Sequence, residues 1–411
     1  MRPPEHLPSS VRVLVGASFL VAIGYGIVAP ALPGYARSFG VGIATASMVV
    51  SAFAVFRLAF APASGVLVRR LGEPPVFCIG LLIVGASSAA CAFATSFGEL
   101  LTYRAVGGIG STMFTVSAAA LLIRNSPPTM RGRAAGAWAT WFLVGSIVGP
   151  LAGGVLGAVG PGVPFLAYGA LLGAVAVGAA GALRVPRGTH APEDDSDGQP
   201  VLTALRHPTF RAALATNFAY GWTVYGIRVS IVPLFLGEQL GWSAEWSAAA
   251  LTAFAAGTAA TSSLGGRLAD RHGRRPMVRI GLVVMAVTLC WMGFSDSPVE
   301  IMLLAVLSGA GTGLTSPSTN AAVADILVRE GHEKSTGSVL ATYQMVGDVG
   351  AIAGPVLAGM VADSSGFPAA FVLTAAVVAA ALTTWCPATE FVVTQEQTPR
   401  SRRSRRRNAL A

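Results

Sequence analysis

The stretch GRLADRHGRR at residues 266–275 decides the fold, because it places a short cluster of charge between two long apolar blocks. The preceding block covers residues 244–268, and the following block covers residues 276–295. Each is close to the roughly 20 apolar residues that an α-helix needs to cross the hydrocarbon of a bilayer. The pattern predicts two membrane-spanning helices that are joined by a basic loop.

Apolar blocks of similar length continue on both sides of this stretch. In all, twelve transmembrane helices are predicted, with approximate limits 12–34, 44–68, 75–96, 99–123, 134–159, 163–183, 210–236, 244–268, 276–295, 299–327, 337–362 and 367–387. The chain is 53% hydrophobic and only 11% charged, whereas soluble domains are about 25% charged. The first block is too long for the core of a signal peptide, so we expect it to be retained. The composition excludes a soluble enzyme.

The positive charge is concentrated on one side of the predicted bundle. Of the 28 Lys and Arg residues, three lie within spans and Arg37 follows span one, while the others fall in the termini and in the loops from even to odd spans. The opposite loops carry acids such as Glu238 and Asp363. The positive-inside rule then predicts an inner-membrane protein with both termini in the cytoplasm. The net charge of +9 is assigned to topology and not to nucleic-acid binding.

Landmarks recur at a nearly constant offset, which indicates an internal duplication. The matching segments are 65–67 with 266–268 at an offset of 201, 108–110 with 311–313 at 203, and 149–150 with 354–355 at 205. A polar, proline-containing stretch separates the halves and reads as a flexible linker. The predicted domains are an N-terminal six-helix bundle at 1–183, a cytoplasmic linker at 184–209, a C-terminal six-helix bundle at 210–388 and a basic cytoplasmic tail at 389–411. The tail fits either contact with anionic lipid or a plain solvated segment.

Several of these stretches resemble motifs of the major facilitator superfamily. GRLADRHGRR (266–275) is similar to its loop signature, Arg104 with Gly108 and Gly110 to its fourth-helix motif, and GSIVGPLAGG (145–154) to the fifth-helix motif of its antiporters. GYGIVAPALP (24–33) is similar to the first helix of its twelve-helix drug:proton antiporters. The resemblance covers residues 12 to 388. It implies an all-α membrane protein of twelve transmembrane helices in two pseudo-symmetric six-helix bundles.

The first-half loop departs from this family pattern. GVLVRRLGEP (65–74) has Arg69 where the family has an aspartate, and Glu73 where it has an arginine. In the family that aspartate is thought to clamp the cytoplasmic face against a helix N-terminus of the other half, where an acid meets the positive end of the helix dipole. We expect only the second-half clamp at Asp270 to operate. The residues assigned to gating are Gly65, Arg69, Gly266, Asp270, Arg271, Gly273, Arg274 and the helix-loosening pairs Gly149-Pro150 and Gly354-Pro355.

Four charged residues lie within spans, and each is a functional candidate because charge is costly inside a bilayer. Asp348 lies near the middle of span eleven and is either a proton-coupling carboxyl or half of a fixed ion pair, for instance with Arg228. The resemblance implies a proton-coupling role for Arg104, with a helix-packing hydrogen-bond donor as the alternative. Arg57 and Arg228 fit gating or structural pairs.

Polar side chains at helical spacing predict a central cavity, because polar helix faces surrounded by lipid must turn inward. The faces on spans seven, ten and eleven are formed by Asn217, Gly221, Tyr225 and Arg228, by Thr312, Ser316 and Asn320, and by Gln344 and Asp348. Interhelical hydrogen bonding is the alternative role for these side chains. Tyr25, Trp138 and Trp141 are either aromatic cavity walls or ordinary packing residues.

The remaining motifs narrow the function to secondary transport. There is no G-x-x-x-x-G-K-[ST] sequence for ATP and no intramembrane cluster of metal ligands, so no cofactor or metal is expected. The leading hypothesis is a monomeric proton-coupled antiporter that exports small amphipathic molecules by alternating access. A proton-linked importer or facilitator, or a membrane sensor that does not transport, is the alternative. Three intramembrane arginines against one aspartate favour a neutral or anionic substrate over a lipophilic cation.

Overall fold

The structure is a computed structural model and describes residues 7–183, 199–329 and 336–388. All regular elements in these ranges are helical. The α-helices are α1 (Ser9–Val28), α2 (Leu32–Arg37), α3 (Ile43–Ala59), α4 (Ala61–Leu71), α5 (Glu73–Cys91), α6 (Phe97–Asn125), α7 (Arg131–Val159), α8 (Val163–Ala182), α9 (Gln199–Arg206), α10 (Pro208–Gly221), α11 (Val232–Leu234), α12 (Ala244–His272), α13 (Arg274–Met292), α14 (Pro298–Arg329), α15 (Thr336–Ser365) and α16 (Phe367–Thr383).

Helices occupy all twelve predicted spans. Nine helices in the described ranges are long and apolar enough to cross a membrane, and the bent pair α3–α4 makes a tenth. The other two predicted spans correspond to α12, which is 29 residues long but less apolar, and to the shorter apolar helix α16. The all-α membrane architecture is as predicted, while crossing by all twelve helices stays a prediction.

Glycines in the left-handed backbone region end several helices. Gly72 and Gly273 follow α4 and α12 with φ of 85° and 94°, and Gly40 and Gly241 have φ of 76° and 70°. Such φ values favour glycine because a side chain would clash with the backbone. We name the two ends of the bundle after these turns: Gly40 and Gly241 mark the Gly40 end, and Gly72 and Gly273 mark the Gly72 end. Both pairs are related by the offset of 201.

The second predicted span is not one straight helix. It is divided into α3 and α4, which meet at Phe60 with a bend of 50°. Pro62 lies in the first turn of α4, where its missing N–H and fixed φ favour a helix start. The continuous prediction of 44–68 is therefore wrong, because hydropathy alone does not register a proline break.

The seventh span is largely π-helical. After α10, the segments Trp222–Ile231 and Phe235–Gln239 follow the wider i→i+5 pattern, with α11 between them. Long π segments are rare, and short ones are frequently found at functional sites. A wider turn changes which side chains share a face, so the α-helical spacing used for this span does not apply after Gly221.

The two halves meet along two helix pairs. α7 of the first half packs against α12, and α3 packs against α15. The repeat persists in the elements, since α5 and α13 differ in position by 201 residues at both their first and last residues. Residues 199–206 of the predicted linker form α9, which packs against α10 and α15. The predicted domain limits stay predictions, and the tail at 389–411 lies outside the described residues.

Candidate substrate and gating site

Asp348 forms a central link between the halves. Its Oδ1, on α15, accepts a hydrogen bond from Nη2 of Arg57 on α3. The two side chains form an ion pair and are mostly buried, at 15% and 28% exposure. The suggested partner Arg228 is wrong, because α15 packs between span seven and α3, and Asp348 lies against α3.

Two tyrosines meet beside this ion pair. The rings of Tyr25 on α1 and Tyr225 on span seven contact edge to face, with 6.5 Å between centroids. Arg57 lies within electrostatic reach of both phenol groups. Tyr25, Tyr225, Arg57 and Asp348, two from each half, are called the central cluster below. The sequence predicted each of these residues, and the structure brings the four together.

Arg104 adds a second positive charge next to the central cluster. It lies on α6 and is 4% exposed, with its guanidinium carbon 4.7 Å from the ring centre of Phe53. Phe53 precedes Arg57 by one turn on α3. The buried Nε of Arg104 makes no hydrogen bond to any residue that the structure describes. Arg104 is thus a buried cation on an aromatic face.

Arg228 does not lie on the same helix face as Tyr225, which is three residues before it. Tyr225 contacts the first half, whereas Arg228 lies over the ring of Phe254, 4.6 Å from its centre, and donates from Nη2 to Ser308 and Thr312. The prediction of one common face on span seven is therefore wrong. The π-helical turn rotates the two side chains apart.

The other predicted cavity residues are spread more widely. Trp138 stacks on Phe114 inside the first half, with 6.3 Å between centroids, and Asn217 donates to the carbonyl of Tyr343 at 2.6 Å. These contacts fit the packing and hydrogen-bonding alternatives. Side chains with substantial exposure are Trp141, Asn320 and Gln344. Within the described ranges, no three metal-binding side chains come together.

An ion pair closes the Gly40 end. Arg37, the last residue of α2, donates from Nε and Nη2 to the two carboxylate oxygens of Glu238, at 2.5 and 2.9 Å. The hydrogen bond to Glu238 raises the pKa of Arg37, so the guanidinium stays charged. A cavity of about 550 Å³ lies around this pair, lined also by Gly34 and Pro233. Bidentate geometry of this kind is the stronger form of ion pair.

Asp363 joins the halves at the same end. Its carboxylate, on α15, accepts hydrogen bonds from the backbone N–H groups of Ile43 and Ala44 at 2.9 and 2.8 Å. These groups begin α3, where unpaired N–H groups and the positive end of the helix dipole favour an acid. The sequence placed Asp363 on the same side as Glu238, and the structure has both at the Gly40 end, but the helix that Asp363 caps belongs to the other half and could not be identified from spacing.

Small side chains let the helices of the two halves approach closely between the Gly40 end and the central cluster. A Cβ on Gly359 of α15 would lie 2.7 Å from Cα of Ala44, so the closed seam requires glycine there. Below this contact Ser47 and Ser230 bond through their hydroxyls at 2.7 Å, and Ser51 donates to a carbonyl of α15 at 2.7 Å. The seam is thus tight from the Gly40 end down to Asp348.

The predicted clamp at the Gly72 end is not engaged in this form. Asp270 is paired with Arg274 of its own half, and its side chain is 70% exposed. Arg274 also contacts Asp325 at 3.3 Å. Gly266 and Gly273 flank this group, and Arg271 beside it is exposed. The molecule is therefore in a form that is closed at the Gly40 end, and the clamp at Asp270 stays a prediction.

The first-half loop keeps an ion pair of its own. Gly65 and the exposed Arg69 lie on α4, and Glu73 begins α5. Glu73 is buried and accepts a hydrogen bond from Nη1 of Arg124 at 2.9 Å. This contact was not predicted, although it could have been sought at the positions that correspond to Arg274 and Asp325.

The two Gly-Pro pairs mark close helix crossings. A Cβ on Gly26 of α1 would lie 2.8 Å from Cα of Gly149, and one on Gly354 would lie 2.9 Å from Cα of Trp222. The helices α7 and α15 continue through Pro150 and Pro355. A hinge role for both pairs stays a prediction, and close packing against the first helix of each half is what the contacts establish.

Comparison with known proteins agrees with this architecture. The sequence model of the Major Facilitator Superfamily matches residues 14–251 and, again, 215–410. The quinolone resistance protein NorA of Staphylococcus aureus is 30% identical over 161 residues, which are 39% of this chain and 42% of NorA. The chain thus aligns with less than half the length of that relative. The multi-drug resistance efflux pump PmrA homolog of Lactococcus lactis is 26% identical over 86% of this chain and 88% of that protein.

Solved structures show the same fold. A bacterial homolog of the human lysosomal transporter Spinster, in an inward-facing and unoccupied conformation, has a TM-score of 0.77 at 18% identity and covers 92% of this chain and 95% of its own. The human organic anion transporter MFSD10 has a TM-score of 0.67 at 18% identity, over 93% of this chain and 100% of its own. With the family model matching both halves, the chain belongs to the Major Facilitator Superfamily of membrane transporters.

Proposed function

We propose that this chain is a proton-coupled antiporter that exports small amphipathic molecules by alternating access. The observation that carries the proposal is the ion pair of Arg57 and Asp348, which joins the two moving halves at the level of the central cluster. The efflux proteins among its relatives support export. We place the protein in the inner membrane with both termini in the cytoplasm, so that the Gly72 end faces the cytoplasm.

In this orientation the structure is a form that is closed to the outside. Reaching the opposite form requires separating Arg37 from Glu238 and Asp363 from the first turn of α3. A ligand or proton shifts such an equilibrium only by binding one form better than the other. The cross-half bonds are therefore the contacts through which binding changes the form of the transporter.

Protonation of Asp348 weakens the seam at its deepest point. The neutral carboxyl loses its Coulomb attraction to Arg57, which at about 4 Å and an effective dielectric constant of about 20 amounts to about 4 kcal/mol before desolvation is considered. The proton thus favours separation of the halves at the Gly40 end.

A proton-linked importer is the second candidate, and the same ion pair favours it when the substrate is an anion. An anionic group and Asp348 would compete for Arg57, so protonation of Asp348 would promote anion binding. Proton and substrate would then move in the same direction. The sign of substrate-driven proton movement separates the two candidates.

The test uses inside-out vesicles that are energised to an acidic interior and contain a pH-sensitive dye. Adding a transported compound to wild type should release interior protons under antiport, and the Asp348→Asn variant should give no response because its side chain cannot be protonated in this range. Asp296→Asn, an exposed acid in another loop at the Gly40 end, is the matched control and should respond like wild type. Equal responses from Asp348→Asn and wild type would contradict a coupling role for Asp348.

A further inference from the structure

The membrane interior of this protein has an excess of positive charge. Within the helices that the structure describes, Arg57, Arg104 and Arg228 lie deep in the bundle, and Asp348 is the acid at that depth. Asp348 is already paired with Arg57. Buried charges in proteins are normally paired with opposite charges, because an unpaired charge in a low-dielectric region is costly. Arg104 and Arg228 are therefore left without a counter-ion from the described part of the chain.

Arg228 is held in place entirely by neutral groups. Its Nη2 donates to the carbonyl and hydroxyl oxygens of Ser308 at 3.1 and 3.4 Å and to the hydroxyl of Thr312, while the guanidinium lies over Phe254. The side chain is 6% exposed, and its Nε is buried without a hydrogen-bond partner among the described residues. If Arg228 only stabilised helix packing, we would expect its charge to be paired and its Nε–H group to have an acceptor.

The two arginines that lack a counter-ion in the described part of the chain each lie over a phenylalanine ring, one in each half. Arg104 lies over Phe53 at 4.7 Å, and Arg228 lies over Phe254 at 4.6 Å. The two phenylalanines occupy equivalent positions, since they differ by the repeat offset of 201. The arginines come from helices that are not equivalent, α6 and span seven, so the arrangement is not a by-product of the duplication. Each half thus holds one guanidinium group that is fixed on an aromatic face.

We propose that Arg228 is the anion-binding residue of the transport site and that the substrate carries a negatively charged carboxylate, sulfonate or phosphate group on an aromatic or apolar body. The inference rests on the proposed transport function. Guanidinium groups bind such oxyanions through charge-assisted N–H donors, and the buried Nε of Arg228 is a donor that no residue in the described part of the chain takes up. Arg104 strengthens the attraction without contacting the group. The rings of Tyr25 and Tyr225, which contact each other in the central cluster, would supply apolar surface for the rest of the molecule.

The test measures binding and transport of matched compounds by the purified full-length protein in liposomes. The probes are naphthalene-2-sulfonate and naphthalene-2-carboxylate, each paired with its neutral amide. Wild type should bind at least one anion tenfold or more tightly than its amide. Arg228→Gln should lose roughly tenfold to hundredfold in affinity for that anion, the size of a charged hydrogen bond, and leave the affinity for the amide unchanged.

Two further variants separate anion binding from structural support. Arg228→Lys keeps the positive charge but not the planar guanidinium group with its fixed N–H donors. It should therefore retain an intermediate affinity that weakens with added salt. Arg279→Gln removes an exposed arginine of α13 and should behave as wild type. If Arg228→Gln does not fold, the lysine variant and the salt dependence of wild type still decide the question.

Three outcomes would overturn the inference: equal affinity of wild type for an anion and its amide, unchanged anion affinity in Arg228→Gln, or no binding of either anion. The vesicle assay with the dye distinguishes this failure from failure of the transport proposal. Neutral or cationic compounds that drive proton exchange without any anion binding would contradict the anionic substrate class alone. A protein that neither binds the probes nor exchanges protons would contradict both.

Discussion

The two halves of the molecule build the same contact with opposite charges. In the first half Glu73, at the start of α5, pairs with Arg124 near the end of α6, at 2.9 Å. In the second half Arg274, at the start of α13, pairs with Asp325 in the last part of α14, at 3.3 Å. Both residues of each pair are related to their counterparts by the offset of 201.

This comparison changes how the first-half loop is interpreted. From the sequence, GVLVRRLGEP at residues 65–74 is a degenerate form of the family motif, with Glu73 in place of an arginine. The structure shows that the ion pair between helices is present in both halves and that only its polarity differs. The second half has a further acid, Asp270, on the same arginine, so its pair is part of a three-residue group.

The largest effect is expected from breaking the pair of Glu73 and Arg124 in the first half. Glu73→Arg would place two guanidinium groups together at a site where Glu73 is only 6% exposed, and loss of a buried pair typically costs about 3–5 kcal/mol. The double variant Glu73→Arg with Arg124→Glu copies the polarity of the second half and should recover most of the loss. The measurement is the thermal unfolding midpoint in detergent at one scan rate.

The corresponding pair in the second half, Arg274 with Asp325, provides the matched comparison. Asp325→Asn should lower the midpoint less than Glu73→Gln does, because Arg274 keeps Asp270 as a partner. A double variant as unstable as Glu73→Arg alone would show that the first-half contact does not tolerate the polarity of the second half. An Asp325→Asn variant less stable than Glu73→Gln would show that Asp270 does not compensate for the loss of Asp325.

Hydropathy was sufficient to locate helices at the twelve predicted spans, though not the break between α3 and α4, and the recurrence of landmarks was sufficient to find the repeat. The partners of charged residues were not predictable in the same way. Asp348 could be placed at the right depth, but its pairing with Arg57 depends on which helix of the other half packs against α15. The π-helical turns of span seven have no side-chain signature, so the predicted common face of Tyr225 and Arg228 was wrong.

Cross-half contacts show the same limit of sequence reasoning. An acid that caps a helix of the other half was expected at Asp270, by family resemblance, and is found at Asp363. A carboxylate in a loop does not reveal which helix start it will reach, because that depends on the relative position of two bundles far apart in the chain. The set of contacts that closes the Gly40 end could therefore not be predicted from the sequence.

A smaller effect is expected from substituting one acid at each end of the bundle, Asp363 at the Gly40 end and Asp270 at the Gly72 end. Asp363→Asn keeps the shape but loses the attraction to the first turn of α3, worth about 1 kcal/mol at an exposed helix end. The variant should shift the population about fivefold away from the form closed at the Gly40 end. Asp270→Asn should shift it in the opposite direction, because Asp270 is expected to act in the opposite form.

Crosslinking yield across the Gly40 end would measure both shifts, with Asp296→Asn as the control. Shifts in the same direction for Asp363→Asn and Asp270→Asn would show that the two acids do not hold opposite forms. An unchanged yield in Asp363→Asn would show that its bonds to Ile43 and Ala44 do not stabilise the closed end.

The most direct test of the central claim is a distance across the Gly40 end as a function of pH. Spin labels at the exposed, repeat-related positions Phe93 and Phe294 would report the separation of the halves once the four native cysteines are replaced by serine. Wild type should be closed when Asp348 is ionised and should widen as the pH falls and Asp348 takes up a proton. Asp348→Asn should have a distance that does not depend on pH. A wild-type distance that is constant with pH, or an Asp348→Asn distance that changes as wild type does, would contradict the claim that Asp348 couples proton binding to opening.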